Sequence, residues 1–363
     1  MNSRHYPCPP PFVVPRNSKM NELPFAFYEY VCCRLSDEGL SEAEKLPGRF
    51  GEVARLTYRS NYSFVGETED GTEELRIDNA YLRQICSGER LTTEEEFRAV
   101  PTNAVRDVTF CLLHAEGGIL SRILVQHFST AKFYNFGLRA QSITEAWMDF
   151  ACSLKRLGFI LLLNKLKDNA LRLFKRLVDG RKLTELQICD GAYDDDMLDI
   201  MKSILCQDQL KQVKIANYIN ETWESSAVQD ILQFWSDNSD KLRGKKMVLD
   251  KEVNCQNGAS QLLQFLASRN PEPHQLRLDR CSKEELDFID KYYCHHHTLF
   301  VKPSCVYKHE EGEGDNRRKL YISFECATDE ELQARRPERP ASLSGHDDLD
   351  LLQAAISIHI LFA

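Results

Sequence analysis

The chain has 363 residues, 42% of them hydrophobic and 28% charged, with a formal net charge of −9. This length suits two domains or one long repeat array, and the apolar fraction is enough for a continuous core. The acidic balance argues against a dedicated nucleic-acid binder, because neutralising phosphates needs a basic footprint.

Residues 1–20 are basic and proline-rich, with Pro9, Pro10 and Pro11 in a row. They read as a disordered leader that lacks the uninterrupted apolar stretch of a signal peptide. Next, Pro24 suits a first helical turn, where its missing N–H would have no partner anyway. Phe27, Val31 and Leu35 then recur every four residues. Leu46, Phe50, Val53 and Leu56 form a second apolar stripe after the break at Gly39. The spacing predicts a pair or trio of helices over 21–57, too small to be stable alone. Residues 58–104 read as a linker or cap region, with a hairpin around Asp70-Gly71 and a polar helix start near Thr92–Phe97.

Internal repetition is the strongest signal. An apolar-x-x-apolar-x-apolar pattern occurs at Val105/Val108/Phe110, Leu157/Ile160/Leu162, Leu183/Leu186/Ile188 and Leu210/Val213/Ile215. The starts at 157 and 183 differ by 26, those at 183 and 210 by 27, and those at 105 and 157 by 52; a weaker copy, Ala131/Tyr134/Phe136, falls halfway through the last gap. Each copy alternates like a strand with one buried face, and each is followed by helical spacing. The helical stripes are Ile119/Leu120/Ile123/Leu124, Ala146/Trp147/Phe150/Leu154, Ala170/Leu171/Phe174/Leu177, Leu198/Met201/Ile204/Leu205 and Val228/Ile231/Leu232/Trp235. Ser142-x-x-Glu145 and Ser282-x-x-Glu285 read as capping boxes. Further units are less regular: Met247-x-Leu249 with Leu262, Leu263 and Leu266, then Leu276-x-Leu278 with Leu286 and Ile289. Leu299–Val306 and Lys319–Phe324 read as two closing strands.

A strand–helix pair cannot bury both of its apolar faces alone, so neighbouring units must stack. The expected fold class is therefore α/β: a leucine-rich-repeat-like solenoid over 105–326, with a curved parallel sheet and outer helices. A doubly wound Rossmann-type sheet is the structural alternative, disfavoured by the even spacing and by the lack of a glycine-rich first turn. Residues 327–348 are polar and charged, and the final apolar stretch Leu349–Ala363 either docks on the body or has no fold; 327–363 reads as a disordered tail.

The thirteen cysteines are scattered singly apart from Cys32–Cys33, and no C-x-x-C occurs. Neither a disulfide framework nor a zinc site looks like this. Cys111, Cys152 and Cys206 sit in apolar runs, where a reduced thiol acts as a small hydrophobe. The expectation is a reducing compartment, cytoplasm or nucleus, and no apolar run is long enough to span a bilayer.

Phosphate-cradle and serine-hydrolase motifs are absent, which weighs against an enzyme, and no cofactor is expected. His295–His297 near Cys281, Cys294 and Cys305 reads as a polar loop before a strand rather than a metal site. Asp190, Asp194, Asp195 and Asp196 suit a helix start rather than a calcium loop. Lys165, Lys167, Arg172, Lys175 and Arg176 belong to a basic block running from Lys155 to Lys182. It is either a patch for an acidic partner segment or the solvated face of consecutive helices. Phe133, Tyr134 and Phe136 are candidates for a concave ligand face, although alternation makes at most half of them available.

The start Leu23-Pro24, followed by Phe27, Val31, Leu35 and a second apolar helix, resembles a degenerate F-box. With the repeats behind it, the arrangement over 20–326 is similar to divergent nematode F-box-like proteins, which begin with a methionine-led stretch such as Met20–Phe27. The tryptophan often found in the module's last helix is missing; Val53 and Leu56 stand nearby. The resemblance implies that Leu23, Pro24, Phe27, Val31 and Leu35 contact a Skp-type adaptor. It also implies that the repeats hold an unknown protein substrate of a cullin-based ubiquitin ligase, the chain being a monomer within that complex. Read from the residues alone, the same helices equally serve as a cap on the first repeat. The remaining alternatives are a protein–protein scaffold with no ligase role and a doubly wound α/β enzyme.

Overall fold

The structure, a computed structural model, describes residues 23–32, 35, 37–59, 62–69, 72–79, 90–91, 105–112, 125–129, 131, 133–155, 157–217, 223–251, 256–269, 278–312, 314, 317–334 and 337–363. The leader, the Asp70-Gly71 turn, the Thr92–Phe97 helix start and the Ile119–Leu124 stripe lie outside these residues.

Among the described residues three short helices come first: α1 (Phe25–Cys32), α2 (Asp37–Glu44) and α3 (Arg49–Arg59). Tyr28 and Cys32 from α1, Leu40 and Ala43 from α2, and Val53 and Ala54 from α3 close a small core of their own. The buried stripe of α1 is thus one residue round from the expected Phe27/Val31/Leu35 stripe, and Phe27 stays 46% exposed. Both stripes are apolar, and packing against α2 and α3 selects the one carrying the large Tyr28 ring. A hairpin follows, in which β1 (Tyr62–Glu69) pairs antiparallel with β2 (Thr72–Asn79), Glu69 opposite Thr72, and β2 pairs with β3 (Arg90–Leu91).

The repeated patterns then lie side by side in chain order. β4 (Val105–Leu112), β5 (Phe133–Leu138), β6 (Leu157–Leu162), β7 (Leu183–Cys189), β8 (Gln212–Asn217) and β9 (Lys246–Lys251) are each parallel to the next, and β1 is parallel to β4. The apolar positions form ladders: Leu157 faces Leu183, Ile160 faces Leu186 and Val213 follows Leu186. Met247 and Leu249 complete them opposite Val213 and Ile215.

One phase differs from expectation. Between β5 and β6 the register shifts, so that Phe136 faces Ile160 and Leu138 faces Leu162. The fifth copy is therefore Tyr134/Phe136/Leu138 on this side, and Ala131 lies before the strand. Asn135 fills the irregularity. Its amide donates to Thr109 Oγ1 (3.3 Å) and its Oδ1 accepts from the Phe159 N–H (3.0 Å).

Helices α4 (Glu145–Ser153), α5 (Asp168–Asp179), α6 (Asp195–Leu205), α7 (Ala227–Leu242) and α8 (Gln256–Ser268) cover one face of the sheet. Their apolar stripes share a continuous core with the inward strand residues, from Val108 to Phe362. α4 starts from Thr144, whose hydroxyl accepts from the Trp147 N–H at 3.2 Å, so the expected box at Ser142 is displaced by two residues. A cap three residues before the first buried side chain, Trp147, fixes the start.

Adjacent units are also stitched by polar side chains reaching one unit back. Lys182 donates to the carbonyls of Cys152 and Leu154. Gln207 donates to Val178 O (3.1 Å), and Lys245 to Gln207 O (2.6 Å) and Leu210 O (3.3 Å). Each adds a donor to carbonyls at the helix end, or in the helix-to-strand turn, of the preceding unit.

After α8 the pattern breaks. The expected array to 326 stops being parallel at β9, whose free edge is taken by the C-terminal strand. In chain order the remaining elements are β10 (Asp279–Arg280), α9 (Lys283–Tyr293), β11 (Leu299–Phe300), β12 (Tyr307–Glu311), β13 (Arg318–Phe324), α10 (Asp329–Gln333), β14 (Arg339–Pro340) and β15 (Ser357–Phe362). β15 lies between β9 and β13, antiparallel to both, and β12 and β10 finish that edge; β11 and β14 pair separately. The expected disordered tail is corrected here: Ile358, Ile360 and Phe362 are fully buried in the main core. A segment alternating Ile-x-Ile-x-Phe has a whole apolar face to bury, and the last parallel strand offers an open edge for it.

The expected unit at Leu276/Leu278 with Leu286 and Ile289 does not continue the stack either. α9 does begin with the anticipated capping box of Ser282 and Glu285. Its buried residues, Leu286 and Ile289, pack with Phe300, Tyr321 and Leu361 in a second cluster. Tyr321 and Leu361 alternate with the main-core residues Ile322 and Phe362, so α9 covers the opposite face of the sheet. The architecture is α/β: among the described residues, one large open sheet of thirteen strands, not closed into a barrel.

Candidate functional site

Strand alternation sends every second residue of β6–β9 away from the helices. Of these, Cys189, Ala216 and Val248 are buried, whereas Phe159 and Leu161, Glu185 and Gln187, Gln212 and Lys214, and Lys246 and Asp250 are half-buried. They form two rows across the strands. One runs Phe159–Glu185–Gln212–Lys246, the other Leu161–Gln187–Lys214. They occupy the x positions of the repeated pattern, so the signal that locates them is the pattern's own complement. Only the apolar members announce themselves in the sequence.

Glu185 is the centre of this face. Gln187 Nε2 donates to its Oε1 at 2.7 Å and Gln212 Nε2 to the same oxygen at 3.2 Å. Burial raises its carboxyl above the ordinary range, opposed by the Gln187 bond, the Lys214 charge and the Gln212 bond. Lys214 is itself ion-paired with Asp250. Lys246 reaches Thr298 Oγ1 at 3.5 Å.

The open face ends at β15, where the C-terminal elements rise over the sheet. Phe300 meets the His359 ring edge-on at 5.1 Å. Burial pushes His359 down to about 3 and the neighbouring His295 down to about 4. His359 Nδ1 and His295 Nε2 have no hydrogen-bond partner among the described residues. α9 is anchored nearby through Glu285, which takes Lys308 (2.8 Å) and Lys319 (3.4 Å).

The sequence candidates are distributed elsewhere. Of the aromatic trio, Tyr134 and Phe136 enter the core, while Phe133 lies half-buried on the opposite face. In the N-terminal helices, Leu23 and Leu35 pack against the small core, Val31 is half-buried, and Pro24 and Phe27 are exposed. Phe25 and Leu46 are also exposed there, at 51% and 49%.

The basic residues belong to the helix side of the molecule. Arg172 pairs with Glu145 (3.4 Å) and Arg176 with Asp149 (2.5 Å), two parallel links between α5 and α4. Lys165 pairs with Asp194 at 2.7 Å, whereas Lys167 and Lys175 are exposed. Through these carboxylate contacts Lys165, Arg172 and Arg176 form one side of an inter-unit ion-pair ladder.

Asp194 caps α6, accepting from the Met197 N–H at 2.8 Å, with Asp195 and Asp196 in the first turn. Asp190 does something different. It is buried and accepts from the backbone N–H groups of Glu224 (2.8 Å) and Ser225 (3.2 Å), tying one strand–helix loop to the next. Among the described residues no three His, Cys, Asp or Glu side chains converge as a metal site. Nor is any helix there long and apolar enough to cross a membrane.

The fold and this face define an α/β protein whose parallel strands turn a row of half-buried polar and apolar side chains away from the helices. Compared with known proteins, the chain matches no family model and no curated protein.

Proposed function

We propose that the chain is a protein-binding receptor: a leucine-rich-repeat-like solenoid that holds a protein on its open sheet face. The observation that carries this reading is the order of β4–β9, one strand per unit with each new strand beside the last. Such stacking buries the helix side continuously and leaves the other side of β6–β8 for a partner. A doubly wound enzyme binds its ligand where strand order reverses, and β4–β9 run without reversal.

The helical trio is read as an F-box-like module that docks a Skp-type adaptor of a cullin-based ubiquitin ligase in the cytoplasm or nucleus. Its support is the self-contained core, with Phe27 and Pro24 left outside it. As for the cap reading, the outer edge of β4 is taken by β1 of the hairpin, which weighs against the helices being needed to close the first unit.

The test is co-purification of a Skp-type adaptor with the full chain and with a variant lacking residues 1–56. Adaptor recovered only with the full chain supports the ligase reading. A folded full chain that recovers none rejects it and leaves the receptor reading as a scaffold.

A further inference from the structure

We propose that the open face recognises an arginine side chain presented by the bound polypeptide, with Glu185 as its carboxylate anchor and Phe159 as its stacking platform. The inference rests on the receptor reading and names the chemistry of its occupant.

Donor and acceptor accounting leads to it. Glu185 receives both of its bonds, from Gln187 and Gln212, on one oxygen. Among the described residues no cationic side chain bonds to it, and Oε2 has no donor. Each glutamine spends one amide N–H on Glu185, and neither amide oxygen has a donor among the described residues. Three acceptors and a negative charge therefore face outward from adjacent strands with only neutral groups bonded to them. Lys214, on the next strand beyond Gln187, is engaged by Asp250. A half-buried carboxylate held by neutral amides favours a cation from outside over none.

The neighbour on the other side decides which cation. Phe159 is the cross-strand partner of Glu185, on the same face. An aromatic ring beside a carboxylate fits a planar guanidinium, which stacks on the ring while its fork of donors meets Glu185 and the amide oxygens. An ammonium has three donors, is more strongly hydrated and has no plane to stack. The rest of the floor, Leu161 and the Gln212 stem, gives the arginine's methylenes apolar contact.

Random-peptide display against the purified full chain tests this. Arginine should be enriched several-fold at one fixed position of the selected peptides, with lysine not enriched. For the best peptide, measured by fluorescence polarisation, replacing that arginine by lysine or by neutral citrulline should weaken binding about tenfold or more. Glu185→Gln should have the same effect and Phe159→Leu a smaller one, each checked for an unchanged thermal melt. If a variant fails to fold, the citrulline peptide on the unaltered chain gives the same answer.

Equal selection of lysine, indifference to citrulline, or no enriched peptide overturns the proposal. Hydrogen exchange on the complex separates the arginine from the face that holds it. Protection of β6–β8 without arginine preference rejects the arginine and leaves the receptor face; protection confined elsewhere rejects both.

Discussion

Asn135 and Gly158 are built around each other: a Cβ on Gly158 would overlap the Asn135 Oδ1 that holds the Phe159 N–H. The contact sits where the strand register shifts, so one amide both fills the irregularity and requires glycine opposite it. Gly158→Ala is expected to destabilise the fold by about 2 kcal/mol, as overpacking with a displaced hydrogen bond does. In an Asn135→Ala background the additional effect of Gly158→Ala should fall well below that, measured by urea denaturation. Additive effects would show that the two residues do not share the site.

The C-terminal strand is a structural member. Ile358, Ile360 and Phe362 are each fully buried, worth about 1.5–3 kcal/mol apiece. Together that approaches the whole net stability of a typical domain. A chain ending at Ile356 should lose its cooperative melt and expose the edges of β9 and β13. Trp235, stacked on Phe362 at 6.1 Å, provides a fluorescence reading of the same event. An unchanged melt on truncation would contradict the placement of β15.

Lys245 is 5% exposed, and its ammonium donates to two carbonyls of the preceding unit. Burial lowers its pKa below that of an ordinary lysine. Lys245→Met keeps the stem and removes the donors, and is expected to cost about 2 kcal/mol in urea denaturation. The half-buried Lys182, which reaches back to carbonyls in the same way earlier in the stack, should tolerate methionine better. A neutral or stabilising Lys245→Met would mean that desolvation of the ammonium outweighs its bonds.

Acid should weaken the C-terminal half through two histidines. His295 is depressed to about 4 and His359 to about 3, from an ordinary 6.5, both by burial. Above pH 6.5 their contribution is fully present. Between 6.5 and the folded values the unfolded chain takes up protons that the folded chain refuses. Stability then falls by up to about 1.4 kcal/mol per pH unit for each histidine. Glu311, lowered to about 2 against burial by its bonds to His309 and Arg318, acts lower still. Its stabilisation is present above its ordinary 4.5 and lost as pH falls through 2, so it does not mask the histidines. Denaturant midpoints across pH 5–7 read the slope. The pair His295→Gln and His359→Gln should flatten it.

The order of strands and helices through β9 and α8 was legible in the residues because apolar side chains recur at two periods that only strands and helices share. Val213, Ile215, Met247 and Leu249 declare their inward face without any neighbour. The open face was legible only as a complement, since Glu185, Gln187 and Gln212 carry no period of their own. What the tertiary structure alone decided depends on pairings distant in the chain. Ile358-x-Ile360-x-Phe362 alternates plainly, yet nothing local states that it inserts beside a strand more than a hundred residues earlier. Likewise Tyr28 rather than Phe27 turns inward because α2 and α3 offer it a core. Local periodicity fixes which face of an element is apolar; the competition among possible partners, settled by packing, fixes what that face meets.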